Sequence, residues 1–210
     1  MNSNSPHIIG ISGATCSGKS SLAKRIRDRL TGKIISIISC DWYYRDLSAL
    51  TPSEREKCNF DVPEALEMDL LRRDLELLAA GNDIFRPVYD YSTHTRAPHS
   101  IQVTPGHIII VEGLFVLYWE EIRQLLNTKV FVFLTDAESL ARRLDRDVRE
   151  RGRTRQSVID QYQTTVEPMT RKFVLPTRHF ADILVRGTDP IEDSAESVIS
   201  RIPCVRKNST

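Results

Sequence analysis

Residues 13–20 read Gly-Ala-Thr-Cys-Ser-Gly-Lys-Ser, with two glycines, a lysine and a hydroxyl residue at the spacing G-x-x-x-x-G-K-[ST]. That spacing builds a phosphate cradle. Glycines bring backbone N–H groups close to a polyphosphate, and the following helix N-terminus adds a favourable dipole. The lysine reaches the β- and γ-phosphates, and the hydroxyl ligates magnesium. A chance glycine turn capping a helix would need no particular neighbours. Here His7 to Ser12 is a short apolar run that reads as a buried strand, and Leu22, Ile26 and Leu30 recur every four residues as the stripe of a helix. Strand, glycine loop and helix together point to a nucleoside triphosphate site. Gly13, Ala14, Cys16, Ser17, Gly18, Lys19, Ser20 and Ser21 are its expected phosphate-binding residues.

Other residues suit chemistry on that phosphate. Glu112 ends the apolar run His107–Glu112 and precedes Gly113. An acid there can hold magnesium with Ser20, or can cap the next turn. Asp41 ends a second apolar run, Lys33–Cys40. It is either a base for a hydroxyl acceptor or the start of a turn. Asp61 can accept hydrogen bonds from a sugar diol. The spacing Asp61-Val62-Pro63-Glu64 favours a helix cap instead. Residues 87–96, with Tyr89, Tyr91, His94 and Arg96, could stack on a flat base and bond its edge, or fold as a hairpin with a half-buried aromatic face. Seven arginines lie between 142 and 155. They form either a solvated helix face or, with arginine used to the exclusion of lysine beside Gly152, a lid clamping transferring phosphates. An RNA-binding stripe would want interleaved aromatic residues, which this run lacks.

The elements that must position these residues alternate. Strands are expected at 7–12, 33–40, 107–112, 130–134 and 183–185, and helices after the glycine loop and at 63–80, 138–149 and 156–173. Such alternation predicts an α/β fold: one domain over 1–210, built on a five-stranded parallel sheet with helices on both faces. Two stretches break the rhythm, a hairpin-bearing insertion at 41–105 and an arginine-rich lid at 136–173. Residues 188–210 read as an exposed tail with one weak helix. Ligands in such sheets sit at the carboxyl ends of the strands, where Asp41, Glu112 and the glycine loop all fall.

Composition limits the partners. Lys plus Arg number 29 against 28 Asp plus Glu, so no global field recruits nucleic acid or a membrane surface. Cys16, Cys40, Cys58 and Cys204 form no C-x-x-C pair, which suits reduced thiols in the cytoplasm. No apolar run approaches membrane-spanning length.

The blocks Gly13–Ser20, Asp41–Asp46, Asn59-Phe60-Asp61, Tyr89–Arg96, Glu112-Gly113, Arg146–Arg153 and Gln161–Ile183 occur in the order seen in uridine kinases, which this chain resembles over roughly residues 7–187. Two positions depart from the pattern: Val62 where histidine is usual, and Val185 where proline is usual. The resemblance implies a P-loop NTPase fold and transfer of the γ-phosphate of Mg·ATP to the 5′-hydroxyl of uridine or cytidine. It implies Asp41 as general base, Lys19 at the phosphates, and Ser20 with Glu112 on Mg2+. Asp61 and Arg143 would hold the ribose with Gln161 nearby, and Tyr89 and His94 would read the base with Phe60 and Tyr91 stacking. Arg146, Arg151 and Arg153 would serve phosphates. It also implies a cytoplasmic homotetramer inhibited by CTP or UTP. The rival within the same branch is a kinase for nicotinamide riboside, pantothenate or ribulose phosphate. A GTPase switch would need D-x-x-G and N-K-x-D, and neither is present.

Overall fold

The computed structural model describes residues 5–203. In chain order the elements are β1 (His7–Gly13), α1 (Lys19–Arg29), β2 (Ile35–Ser39), α2 (Pro52–Arg55) and α3 (Met68–Ala79). A hairpin of β3 (Ile84–Asp90) and β4 (Thr95–Val103) follows, then β5 (Ile108–Glu112), α4 (Glu120–Leu125), β6 (Thr128–Phe133) and α5 (Asp136–Arg151). The described residues end with α6 (Arg155–Gln161), α7 (Glu167–Met169), β7 (Ile183–Arg186) and α8 (Ile191–Ile199).

Five strands form a parallel sheet, as expected, and their order is β2-β5-β1-β6-β7. β5 is buried along its whole length, and its residues alternate between two cores. Ile109 and Val111 join Leu71, Leu75, Phe115 and Phe131 on one face. Ile108 and Ile110 join Leu22, Ile26, Val130 and Val198 on the other. A strand covered by helices on both faces has no polar side to show, so its sequence reads Ile-Ile-Ile-Val. Register then places the chemistry: Glu112 pairs with Ile11 of β1 and with Ser39 of β2. The acid is therefore level with the residue two before Gly13, the last of β1, and two before Asp41, in the turn that follows β2.

Several expectations are corrected. The helix expected over 63–80 is a 3₁₀ turn at Pro63–Ala65 followed, after a break, by α3. The break arises because the backbone between them is recruited elsewhere: Leu66 bridges to Tyr44, and the Glu67 N–H donates to the Tyr43 carbonyl (2.8 Å). The second lid helix is continuous in direction but winds as π-type turns at Tyr162–Val166 and Thr170–Val174, on either side of Pro168. Proline lacks the N–H that a regular helix would use there. The hairpin, by contrast, is present as expected: β3 and β4 pair antiparallel, with a register shift between Pro87 and Tyr89. α4 was not anticipated, since six residues are too short to display a helical period.

The stretch expected as a tail differs most. Within it, α8 buries Ala195, Val198 and Ile199 against α1, and Arg25 and Arg29 pair with Glu192 and Glu196 across the seam. Its polar letters are the outer face of an amphipathic helix. Cys16, Cys40 and Cys58 are free thiols; Cys204 and the end of the tail lie outside the described residues. Because Val198 is fully buried, Val198→Ala should lower stability by about 1–3 kcal/mol in urea unfolding. An unchanged midpoint would mean that α8 does not pack as described.

Candidate active site

The glycine loop is held by close packing beneath it. Gly13 has φ 146°, and a Cβ there would stand 2.0 Å from the Val132 carbonyl of β6. Gly187, just past β7, approaches the Ser17 carbonyl so closely that a Cβ would lie 2.3 Å from it. No side chain fits at either point. The loop then leads into α1 at Lys19, which is buried and donates to the Ala14 carbonyl (2.8 Å). Burial pushes the Lys19 ammonium pKa down, while Glu112 and Asp41 act to keep it charged.

A cleft of about 930 Å³ opens over this loop. Along its floor, Ser20 Oγ donates to Glu112 Oε2 (3.1 Å). Glu112 is buried, and Asp41 stands half-buried in the 3₁₀ turn Cys40–Tyr43 beside it. Burial first, then the neighbouring Glu112 charge, push the Asp41 carboxyl up to about 6, against the pull of Lys19 and Arg151. Two hard oxygens in contact, close to the phosphate loop, fit a magnesium ion that takes its remaining ligands from phosphate and water.

One wall is the arginine helix. Thr135 and Glu138 form a capping box at its start, and Gly152 ends it in a left-handed conformation (φ 63°). Ser139, Arg143 and Asp147 recur every four residues on its buried face. Ser139 Oγ donates to the Thr15 carbonyl (2.9 Å), and Arg143 reaches Thr15 Oγ1 (3.3 Å), so the helix is seated on the phosphate loop. Asp147, with no exposed surface, gathers the guanidinium groups. Arg146 grips it through two nitrogens at 2.8 Å, while Arg143, Arg153 and Arg151 stand at 3.5, 3.6 and 3.7 Å. Gln161 accepts from Arg143 (3.0 Å) and from Arg153. One buried carboxylate among four arginines leaves a net positive wall facing the loop.

The far end is aromatic. His94 and Phe60 stack with centroids 4.3 Å apart and planes 20° apart, and Tyr89 contacts Tyr44 (5.4 Å) and Tyr91 (5.3 Å). Asp61 lines the same end; burial raises its carboxyl pKa and Arg143 opposes the rise. The capping reading of Asp61 is corrected: the 3₁₀ turn after it has Val62 at its N-cap with no side-chain hydrogen bond.

The cleft brings together Cys16, Gly18, Lys19, Ser20, Ser21, Asp41, Phe60, Asp61, Tyr89, Tyr91, His94, Glu112, Arg143, Arg146, Arg151, Arg153 and Gln161. Gly13, Ala14 and Ser17 lie behind its lining and shape the loop. Arg96 does not line it. Its guanidinium donates to the Tyr44 carbonyl (3.0 Å) and pairs with Glu67 (3.1 Å), which bolts the hairpin to the 3₁₀ turn and α3. Thr15, Tyr44, Glu56, Cys58, Leu114 and Arg142 also line the cleft. Thr15 carried a signal inside the glycine loop, Arg142 in the arginine run and Tyr44 three residues after Asp41; Glu56, Cys58 and Leu114 carried none.

With this geometry in view, the comparisons with known proteins are specific. The profile of the phosphoribulokinase / uridine kinase family matches residues 8–192. The chain belongs to that family. A uridine kinase of Bacillus cereus (strain G9842) is 46% identical over 186 residues, covering 88% of this chain and 87% of the relative. A uridine kinase of Bacillus anthracis is 41% identical over 98% of this chain and 97% of its own length. Among solved structures, phosphoribulokinase from Rhodobacter spheroides superposes with a TM-score of 0.65 at 20% identity, over 90% of this chain and 75% of that one. D-glycerate 3-kinase from Cryptococcus neoformans gives 0.62 at 16%, over 83% and 80%. These two share the fold of the family.

The raised Asp41 carboxyl has a consequence for stability. Between the unfolded carboxyl range and about pH 6 the folded chain holds a proton that the unfolded chain has lost. Stability from this group is therefore present below that range and lost as pH rises through about 6. Without ligands at about pH 7.5, Asp41→Asn should be more stable than wild type by about 1–2 kcal/mol, with the gap closing below about pH 4. Thermal or urea unfolding across pH would measure it, and a variant no more stable at neutral pH would contradict this electrostatic picture.

Proposed function

We propose that this chain transfers the γ-phosphate of ATP to the 5′-hydroxyl of uridine or cytidine, giving UMP or CMP and ADP in pyrimidine salvage. The observation that carries this reading is one cleft with Asp41 between a phosphate loop and an aromatic end. In this mechanism the loop amides and Lys19 hold the β- and γ-phosphates. Above about pH 6 the Asp41 carboxylate accepts the 5′-hydroxyl proton, orienting the oxygen in line with the γ-phosphorus. The new P–O bond forms as the bond to the β-phosphate oxygen breaks, and Arg146, Arg151 and Arg153 stabilise charge on the transferring group. Ser20 and Glu112 are the residues that would hold Mg2+, which when bound neutralises charge on the β- and γ-oxygens. Asp61 and Arg143, with Gln161 behind, hold the ribose diol; Tyr89 and His94 read the base between Phe60 and Tyr91.

The resemblance to uridine kinases further supports a cytoplasmic homotetramer. Among the described residues no helix is long and apolar enough to cross a membrane.

The test is ADP formation with Mg·ATP against uridine, cytidine, adenosine, thymidine, nicotinamide riboside and pantothenate. Turnover confined to uridine and cytidine is expected. Turnover with a different acceptor would overturn the base assignment while leaving a kinase. No turnover with any, with ATP still bound, would leave a nucleotide binder.

A further inference from the structure

The hairpin tip that carries His94 has an unusual conformation and is contacted by a residue outside the cleft lining. His94 has φ 57°, in the left-handed region where non-glycine residues are uncommon. Asp90 caps the turn by accepting from the Ser92 N–H (2.8 Å), but that bond is local and says nothing about where the tip points. Its placement comes from the loop opposite. Arg55, at the end of α2, spreads one guanidinium over three backbone carbonyls: Leu50 (2.9 Å), Ser48 (3.2 Å) and Thr93 (3.0 Å). The first two belong to its own loop. The third is the residue before His94. The capping box of Thr51 and Glu54, with the Glu54 carboxylate accepting from the Thr51 N–H (2.8 Å), fixes the turn from which Arg55 extends.

We propose that Arg55 is a positioning residue for nucleoside recognition, locking the hairpin tip to the 46–58 loop so that the His94 ring stays stacked on Phe60. This rests on the assignment of the aromatic end to the base. Phe60 follows Arg55 by five residues on the loop side, and His94 is on the hairpin side, so the stacked pair spans the seam that Arg55 closes. Two further bonds cross the same seam: the Leu47 N–H to the His94 carbonyl (3.3 Å) and the Arg96 N–H to the Asp46 carboxylate (3.0 Å). They keep the hairpin attached when Arg55 is removed, which separates positioning from folding. A planar fork with several directed N–H groups can satisfy three carbonyls at once, whereas an ammonium point charge cannot hold the same geometry. Loss of the latch leaves the tip to be ordered by the incoming nucleoside, a cost paid on binding and not in the chemical step.

Arg55→Ala should therefore raise KM for uridine and cytidine about tenfold, while kcat at saturation and KM for ATP stay within about twofold of wild type. Arg55→Lys, which keeps the charge, should fall between the two. In the nucleoside-free protein, the nuclear Overhauser contact between the Phe60 and His94 rings should weaken in the same order. A nucleoside KM within twofold of wild type in Arg55→Ala would overturn the proposal, and so would kcat and ATP affinity falling alongside it, since either result denies a role specific to the nucleoside end. Wild-type protein inert toward both nucleosides would instead remove the functional reading. The ring contact in the two Arg55 variants would then decide the latch without reference to turnover.

Discussion

Parallel pairing of β1, β5 and β2 is the constraint on which the rest of the site depends. With Glu112 level with Ile11 and Ser39, the acid comes out of the sheet between the glycine loop on one side and Asp41 on the other. A slip of one residue in β5 would turn Glu112 to the opposite face and bring an apolar side chain to its place. Ile108 to Val111 pack alternately into the two cores, and a shift that moved the Glu112 carboxylate into either of them would bury a charge among apolar side chains. Hydrophobic packing thus specifies where a carboxylate meets a phosphate loop.

Electrostatics builds the second half of the site on that frame. Burial lowers the Lys19 ammonium pKa while Glu112 and Asp41 oppose that fall; Asp41 in turn is raised by burial and by Glu112. These groups are poised against one another. On the facing helix, Asp147 does the opposite work. Fully buried among four guanidinium groups, it lets them crowd into one wall without mutual repulsion spreading them into solvent. A buried carboxylate with one partner would be costly, but here the partners outnumber it and the surplus positive charge faces the loop.

Much of this was legible in the residues, for identifiable reasons. The glycine loop and the β5 run combine strong local signals, so a parallel sheet with both at the carboxyl ends of its strands followed. Asp41 and Asp61 were ambiguous because an acid before a turn looks alike whether it caps or faces a cleft. The structure separates them only through tertiary contacts, such as the Leu66 bridge to Tyr44 that breaks the expected helix. Arg96 misled in the other direction. It stands among residues that line the cleft and pairs across the hairpin with Tyr89, yet its guanidinium is taken up by the Tyr44 carbonyl and Glu67. The polar letters of 188–200 concealed a packed helix, because the apolar stripe of Ala195, Val198 and Ile199 is short and its partner, α1, is remote in sequence.

The central claim is that Asp41 takes the proton from an acceptor hydroxyl while the loop, independently, holds the nucleotide. Single-turnover phosphoryl transfer by Asp41→Asn, with ATP affinity measured on the same protein, tests it most directly. The account predicts a rate lower by about 10²–10⁴-fold with ATP affinity within a few-fold of wild type. A variant that turns over at close to the wild-type rate would contradict it.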